Sequence, residues 1–416
     1  MNKRQFQHQC GRINDWLLII LAFFLPLSTT VASAAALLFL ACWLAEGDFR
    51  RKYKEITTNA MSRAVLVYIV LLLVGLLWNS HLDASASGIQ KQWKMLLMPL
   101  FLTAIRPEQR WCVLWAFIAG MGVMMLTTYL AWLGWLEYAD VSQERLTKRN
   151  SHVVYNPMLA FTVYLLFYQL IWGRLRLWLR LAVLLLAALM FINMFMTDGR
   201  TGQLVLFVLM GVLLFQYFQT SLWKALLALV LAPPLIFWAS YHLSPTFKDR
   251  VDLAREEVQI YKHNPRTSVG QRLFFWEHSW QIFKESPLLG VGTGGFEPAY
   301  AKRNGKYSPH MPVTDNPHNQ YILASVQLGL LGLGALLALF ATQLWQVWKS
   351  FDDWGKLRLA FPVFFLVVMF TESYLLIHET GILFSLFSAI LYKQVPPAGM
   401  TAVAELEQKE GATLSD

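Results

Sequence analysis

The chain is poor in charged residues and in cysteine. Only 15% of its 416 residues are charged, three are cysteines and 56% are hydrophobic. Soluble domains run at about 25% charged and about 45–50% apolar, so an ordinary water-soluble domain is excluded. Cys10, Cys42 and Cys112 have neither zinc-ligand spacing nor the even number of a disulfide framework. The sequence therefore implies no zinc or redox chemistry.

The apolar residues are concentrated in long runs without charge, such as 16–27, 64–77, 181–197 and 203–217. About 20 such residues cross a hydrocarbon core of about 30 Å as a helix. We therefore predict an all-α polytopic membrane protein with about twelve spans, some of them short or tilted. The first run follows a basic N-terminus as in a secretory signal, but no convincing cleavage site follows it, so we expect a retained helix. The predicted spans are 16–29, 31–46, 64–79, 93–105, 110–134, 157–172, 177–197, 202–219, 223–243, 318–348, 357–374 and 379–394.

The distribution of basic residues predicts the topology. With the N-terminus inside, the cytoplasmic connections hold 19 of the 35 basic residues, as the positive-inside rule requires. The net charge of +9 is thus a topological signal and does not indicate a nucleic-acid partner. The predicted organisation is spans one to nine over 1–243, an outer loop domain over 244–317, spans ten to twelve over 318–394, and a disordered tail over 395–416. Both termini are expected in the cytoplasm.

The outer segment 244–317 contains a predicted amphipathic helix. Its apolar stripe is Leu273, Trp276, Trp280 and Phe283, beside polar Gln271, Glu277, His278 and Lys284. Such a helix suits the membrane interface, and a proline at position 287 should end it at Ser286. The glycine run at 290–295 lacks the Lys-Ser/Thr of a nucleotide-binding loop, so we interpret it as a turn where the backbone approaches another element.

Two outer arginines are candidates for phosphate binding. Arg200 occupies a tight turn at 197–202 between two spans, against the positive-inside bias, although an anchor at a helix end is the structural alternative. Arg272 borders the apolar stripe of the loop helix, where a guanidinium can bind a phosphate through two hydrogen bonds. A lipid headgroup contact or a salt bridge is the alternative for Arg272.

His318 is the candidate general base. Asp315 or Asn316 is predicted to cap the tenth span, with Pro317 at its first position. His318 would then lie in the first helical turn, where the helix dipole favours the neutral imidazole that can accept a proton. A structural histidine is the alternative interpretation.

A basic cluster lies between spans five and six. Arg145, Lys148, Arg149 and His152 form either a pyrophosphate cradle or a solvated loop. No DxD-like carboxylate pair is present in the sequence, so metal-dependent transfer is disfavoured.

With these features the chain resembles the O-antigen ligase family. The resemblance covers the twelve spans, the inside termini and the long loop between spans nine and ten. Its motifs are the turn at Arg200, the stretch QRLFFW at 271–276 leading to PLLGVG at 287–292, and PHN at 317–319. The middle motif is the most characteristic, and it is shared with O-antigen polymerases and protein O-oligosaccharyltransferases.

The resemblance implies a GT-C-like membrane fold in the bacterial inner membrane and a periplasmic site for lipopolysaccharide biosynthesis. The implied reaction moves an O-antigen glycan from undecaprenyl pyrophosphate to lipid A core, with inversion and without a metal or cofactor. Arg200 and Arg272 match the family's essential arginines, and His318 matches its essential histidine. Arg145 and Arg149 match the family's basic residues more loosely. Arg266 and Asn319 are added as further pyrophosphate-binding candidates. The implied partners are lipid-linked O-antigen, lipid A core and membrane lipids, with no nucleic acid.

Three alternatives remain open at this point. An O-antigen polymerase would use a second lipid-linked repeat as its acceptor. Protein O-oligosaccharyltransferases are usually longer, with an extra C-terminal region. A flippase or other transporter would place ionisable residues mid-membrane and show repeat symmetry. Here the spans carry few charges and the basic candidates gather at one face, which favours an enzyme. The sequence leaves the oligomeric state open.

Overall fold

A computed structural model describes residues 3–79, 90–147, 152–349, 352 and 354–394. These ranges contain sixteen α-helices and no strand beyond one isolated bridge. The predicted tail at 395–416 lies outside the described residues. The helices are α1 (Lys3–Phe24), α2 (Thr29–Glu46), α3 (Phe49–Thr58), α4 (Ala60–Val74), α5 (Leu97–Ala104), α6 (Arg110–Trp132), α7 (His152–Trp172), α8 (Leu177–Met196), α9 (Arg200–Tyr217), α10 (Leu222–Leu243), α11 (Pro245–Ile260), α12 (Ser268–Glu285), α13 (Phe296–Tyr307), α14 (Gln320–Lys349), α15 (Gly355–Val368) and α16 (His378–Tyr392).

The chain is an all-α polytopic membrane protein, as predicted. Seven helices of the described ranges are long and apolar enough to cross a membrane, namely α2, α6, α7, α8, α9, α10 and α14. The pair α3 and α4, bent by 88°, makes an eighth if it counts as one span. Each of the other predicted spans overlaps a helix, but α5, α15 and α16 have only 8, 14 and 15 residues, and a perpendicular crossing needs about 20. The number of twelve spans stays a prediction.

Charged side chains that the fold buries lie at the two ends of the helix bundle. At one end, Arg110 donates to the Lys393 carbonyl at 2.6 Å and Arg358 donates to the Leu391 carbonyl at 2.7 Å. The other end comprises the starts of α7, α9 and α14 and the connection 369–377, and we call it the site end. There the buried Lys94 donates to the Leu376 carbonyl at 2.7 Å. Placement at the ends, away from the middle of the bundle, agrees better with the predicted enzyme than with a transporter.

Helix α7 lies at the centre of the bundle and is buried on almost all sides. Phe161 packs in α7 against Phe361 and Phe364 of α15 and Phe387 of α16, with ring centroids 5.1–5.7 Å apart. Side-chain amides and hydroxyls join neighbouring helices within the apolar interior, as is typical of membrane bundles. The buried Tyr155 hydroxyl, for example, donates to Asn193 at 2.7 Å.

The segment between α10 and α14 contains α11, α12 and α13. The predicted loop helix is confirmed as α12, whose start is capped by Thr267 and whose last residue precedes Ser286. Trp280 of the predicted interfacial stripe is 54% exposed, which does not conflict with a membrane-facing position, while polar His278 is buried in the protein. The reason is that α13 packs on this helix and covers the face of Phe275, whose ring contacts Tyr300 edge-on at 5.8 Å.

The glycine run joins the loop segment to the bundle through the backbone. The amides of Val291, Gly292 and Thr293 donate to the carbonyls of Val326, Gln327 and Gly75 at 2.8–3.0 Å. Gly329 interrupts α14 at φ +62, where an added Cβ would lie 2.2 Å from the Leu288 carbonyl carbon. The interpretation of the run as a close backbone approach is confirmed.

Candidate functional site

Three arginines line one small cavity of about 90 Å³ at the site end. Arg200 is the first residue of α9, Arg250 belongs to α11 and Arg272 belongs to α12. Asp198, His152, Thr201 and Ser268 are the other polar residues of its lining. The structure therefore brings together the two arginines that the sequence singled out, and it adds Arg250, which the sequence analysis missed. We call this space the arginine cavity.

The turn before α9 is shaped by close packing on α7. Added Cβ atoms at Gly199 and Gly202 would lie 2.1 Å from Nδ2 and 2.4 Å from Cβ of Asn156. Only glycine allows this approach. It fixes Arg200 at the N-terminus of an 18-residue helix, where the helix dipole adds to the attraction for an anion.

The three guanidinium groups differ in their partners. Arg200 Nη1 lies 3.3 Å from Oε2 of Glu257, and Arg250 pairs with Asp198 through two contacts of 2.5 and 2.9 Å. Arg272 has no hydrogen bond or ion pair to any residue in the described ranges. The cavity thus holds one unpaired cation, Arg272. The other two, Arg200 and Arg250, are paired with carboxylates that an incoming anion could replace.

His318 lies before α14, which corrects the predicted helix start. The cap is Asn319, whose Oδ1 accepts from the amides of Tyr321 and Ile322 at 3.0 and 3.1 Å. His318 has a left-handed φ of 52 and lies outside the first turn. Asn316 cannot cap α14, because its side chain accepts from the His318 amide and donates to Glu372. Because His318 lies outside the helix, the predicted effect of the helix dipole on its imidazole does not apply. The imidazole instead has a side-chain partner.

That partner is Glu372, in the connection after α15. Oε2 of Glu372 lies 2.5 Å from Nδ1 of His318, and Oε1 accepts from Asn316 and from the Ser373 amide at 2.6 and 2.8 Å. Burial alone would raise the pKa of Glu372, but the hydrogen bond and charge of His318, with the other donors, outweigh it and hold the pKa below its usual value. A carboxylate on Nδ1 favours the tautomer with the proton on that atom. Nε2 has no partner among the described residues and is left to accept a proton.

The His318–Glu372 pair is connected to the arginine cavity by two elements. The Phe275 ring, three residues after Arg272 in α12, stacks on the imidazole with centroids 6.0 Å apart and planes at 26°. Trp276 donates to the Pro317 carbonyl at 2.9 Å. On the other side, the hydroxyls of Thr201 and Thr371 are 3.0 Å apart, next to Arg200 and Glu372. The three arginines and the His318–Glu372 pair are therefore parts of one assembly.

A larger, mainly apolar cavity of about 870 Å³ adjoins the arginine cavity. It is bounded by α6, α8 and α10 and by the start of α11, and Arg145 lies in its rim. Asp198 lines both cavities. Arg145 is thus near the site but does not line the arginine cavity. Arg149 and Lys148 lie outside the described residues.

Two further candidates are not part of the arginine cavity. Arg266 donates to the His310 carbonyl at 3.0 Å on an exposed surface. The Asn319 side chain caps α14, and its amide donates to the Phe370 carbonyl at 3.2 Å. Both side chains therefore hold the loop and helix in place in this structure. Their assignment to pyrophosphate binding stays a prediction.

The sequence contained a weak signal for Glu372 and none for Arg250. Glu372 is the one acidic residue in the predicted span 357–374, and an acid in such a run indicates function or a partner. Arg250 is one of many charged residues in α11, and only the fold distinguishes it from its neighbours.

Comparison with known proteins agrees with this picture. Residues 185–337 match the model of the O-antigen ligase family, a segment that runs from α8 into α14 and includes the three arginines and His318. The chain is also 28% identical over 213 residues to an uncharacterized protein of Haemophilus influenzae, which is 47% of this chain and 52% of that protein. The chain thus spans about half the length of the curated relative it matches.

The helical fold makes the chain an all-α polytopic membrane protein, and its segment 185–337 is similar to the O-antigen ligase family.

Proposed function

We propose that this protein is an O-antigen ligase. It transfers a glycan from undecaprenyl pyrophosphate to a hydroxyl of lipid A core at the periplasmic face of the bacterial inner membrane. The observation that carries the proposal is the connection of the arginine cavity to the His318–Glu372 pair through α12 and Thr201. An anion site for a leaving pyrophosphate and a base for an attacking hydroxyl are the two parts that such a transfer needs.

The reaction follows from this arrangement. The acceptor hydroxyl oxygen attacks the anomeric carbon of the donor glycan from the side opposite the pyrophosphate. As the new bond forms, the bond from that carbon to the pyrophosphate oxygen breaks, which inverts the configuration. Nε2 of His318 accepts the hydroxyl proton, and Glu372 stabilises the imidazolium. General-base catalysis of this kind contributes about 10²–10⁴-fold.

The arginines act on the leaving group. Negative charge grows on the pyrophosphate as the bond breaks, and guanidinium groups held in place stabilise that charge more than the ground state. Arg272 is available without rearrangement, while Arg200 and Arg250 exchange Glu257 and Asp198 for phosphate oxygens. The energy of the reaction comes from the glycosyl–pyrophosphate bond, so the transfer needs no nucleotide, and the guanidinium groups provide the positive charge that a metal ion would otherwise supply.

The apolar cavity suits the polyprenyl chain of the donor. Its volume of about 870 Å³ lies between helices with apolar surfaces, and Asp198 marks its junction with the arginine cavity. A lipid chain lying between α6, α8 and α10 would present its pyrophosphate to the arginines. The charge distribution of the sequence supports a periplasmic location for this end of the bundle.

Reconstitution tests the proposal. Purified protein is incubated with lipid-linked O-antigen and lipid A core without ATP or added metal, and products are separated on a gel. A ladder of glycosylated lipopolysaccharide is expected, and His318→Ala should abolish it. Elongation of the lipid-linked donor alone would identify a polymerase instead. If neither product formed, the transport alternative would replace the enzyme.

A further inference from the structure

A second polar cavity, of about 330 Å³, lies at the far end of α12. It is formed by the last turn of α12, by α13 and by the glycine run, and it shares no lining residue with the arginine cavity. Its polar lining includes Glu285, Lys302, Arg303, Lys306 and Tyr307. We call it the α13 cavity.

The cations of the α13 cavity are incompletely neutralised. Glu285 is the carboxylate in its lining, and its Oε1 lies 3.7 Å from Nη1 of Arg303. The Nε atom of Arg303 is buried and has no hydrogen-bond partner in the described ranges. Lys302 and Lys306 are four residues apart in α13 and form no ion pair with a described residue. Both lysines are exposed, but they line the same cavity as the unpartnered Nε of Arg303, and this grouping of cations suits an anionic ligand.

An aromatic ring lies beside these cations. The Tyr307 ring is 56% exposed, with the Arg303 guanidinium 4.7 Å and the Lys306 ammonium 5.0 Å from its centre. Ile282, Pro298 and Ala299 provide an apolar wall. A cavity of this size with one aromatic face, an apolar wall and convergent cations suits a sugar ring that carries an anionic group.

The order of features along α12 indicates which substrate reaches this cavity. Arg272 contributes to the arginine cavity, Phe275 contacts the imidazole of His318, and Glu285 lines the α13 cavity. Glu285 is ten residues beyond Phe275, which is about 15 Å along a helix. The base therefore lies between the two cavities along α12, with the proposed pyrophosphate site on one side and the α13 cavity on the other.

We infer that the α13 cavity binds a phosphorylated sugar of the acceptor glycolipid and so positions the acceptor hydroxyl at His318. This inference rests on the proposed function for the identity of the reaction. The phosphate would contact Lys302, Lys306 and Arg303, and the sugar ring would pack on Tyr307.

Steady-state kinetics tests the inference with the double variant Lys302→Gln/Lys306→Gln. The KM for lipid A core should rise by about tenfold, because two charge-assisted contacts are lost. The KM for the lipid-linked donor should stay unchanged. With phosphatase-treated lipid A core, wild type and variant should have the same KM. Lys262→Gln, an exposed change elsewhere in the loop segment, is the matched control and should match wild type throughout.

Direct binding separates this inference from the proposed function. The probe is phosphorylated core oligosaccharide released from lipid A, added without donor to protein in phosphatidylcholine nanodiscs. Wild type should bind it about tenfold more tightly than the double variant, even if no ligation is ever observed. Equal binding by the two proteins would overturn the inference, as would an effect on the donor KM. Loss of binding when phosphatidylglycerol is included would identify a phospholipid headgroup site and would also overturn it.

Discussion

Nδ1 of His318 lies 2.5 Å from Oε2 of Glu372, across 54 residues of sequence. The pair joins the segment before α14 to the connection after α15, and Asn316 and Ser373 hold the carboxylate from the other side. Because Nδ1 is held by a carboxylate, the imidazole has a defined tautomer and a fixed orientation. Its Nε2 is then the atom that can accept a proton.

Glu372→Gln should lower kcat by about 10²–10⁴-fold, because the amide keeps the size of the side chain but removes the charge that stabilises the imidazolium. The KM for the donor should change little, since the arginine cavity is intact. Glu372→Asp, which keeps the charge at a shorter reach, should recover part of the rate. A Glu372→Gln enzyme with wild-type kcat would show that the carboxylate has no role in proton transfer.

The same carboxylate should make stability depend on pH. Because the pKa of Glu372 is lower in the folded protein than in the unfolded chain, its contribution is fully present above the unfolded value of about 4.3. The contribution is lost as the pH falls through the lower folded value. The difference in Tm between wild type and Glu372→Gln should therefore shrink as the pH is lowered below about 4.3.

The control for this pH series is Glu256→Gln, which alters an exposed carboxylate of α11 with no ion pair among the described residues. It should show a small Tm difference without this trend. If the Tm difference between wild type and Glu372→Gln stayed constant as the pH fell well below about 4.3, the lowered pKa of Glu372 would be contradicted.

Lysine in place of Arg250 should raise the KM for the donor and lower kcat, each by about tenfold or more, although the charge is kept. The planar guanidinium offers two parallel hydrogen bonds to a phosphate, and an ammonium does not. Steady-state kinetics at varied donor concentration measures both constants. Arg255→Lys, in the same helix but outside the arginine cavity, should behave as wild type. Identical kinetics for the two variants would show that Arg250 does not bind the phosphate of the donor.

Gly329→Ala should destabilise the protein by about 1–3 kcal/mol, since the residue has a left-handed φ and the new Cβ would meet the Leu288 backbone at 2.2 Å. Gly334→Ala, five residues further in the same helix, meets no heavy atom within 4 Å. That control should be neutral or stabilising by up to about 1 kcal/mol. Thermal unfolding in detergent provides the comparison, and equal Tm values for the two variants would refute the packing argument.

Local sequence rules predicted the features that depend on neighbouring residues. The loop helix and its end before Pro287 follow from the spacing of apolar residues and from the geometry of proline, and both are present in α12. The close backbone approach of the glycine run was predicted for the same reason. The all-α membrane class followed from runs of apolar residues, which need no knowledge of tertiary contacts.

Features set by distant contacts were not predictable in this way. The sequence at 315–319 offers several residues that can cap a helix, and the choice of Asn319 depends on Asn316 being held by Glu372 and Ser373. The buried face of α12 depends on α13, which packs over Phe275 and leaves Trp280 exposed. Arg250 joins the arginine cavity only because α11 folds back toward the start of α9.

The attachment of the glycine run to the bundle limits how the site can admit its substrates. Backbone bonds from residues 291–293 reach both α4 and the first half of α14, so this corner cannot swing outward without breaking them. Helix α11 packs on the bundle at its start through the buried Phe247, and further along it is attached near the site by the ion pairs of Arg250 and Glu257. We therefore expect admission of a bulky lipid-linked glycan to displace the part of α11 beyond Phe247, so that the arginine contacts proposed to hold the pyrophosphate would also report that the donor has arrived.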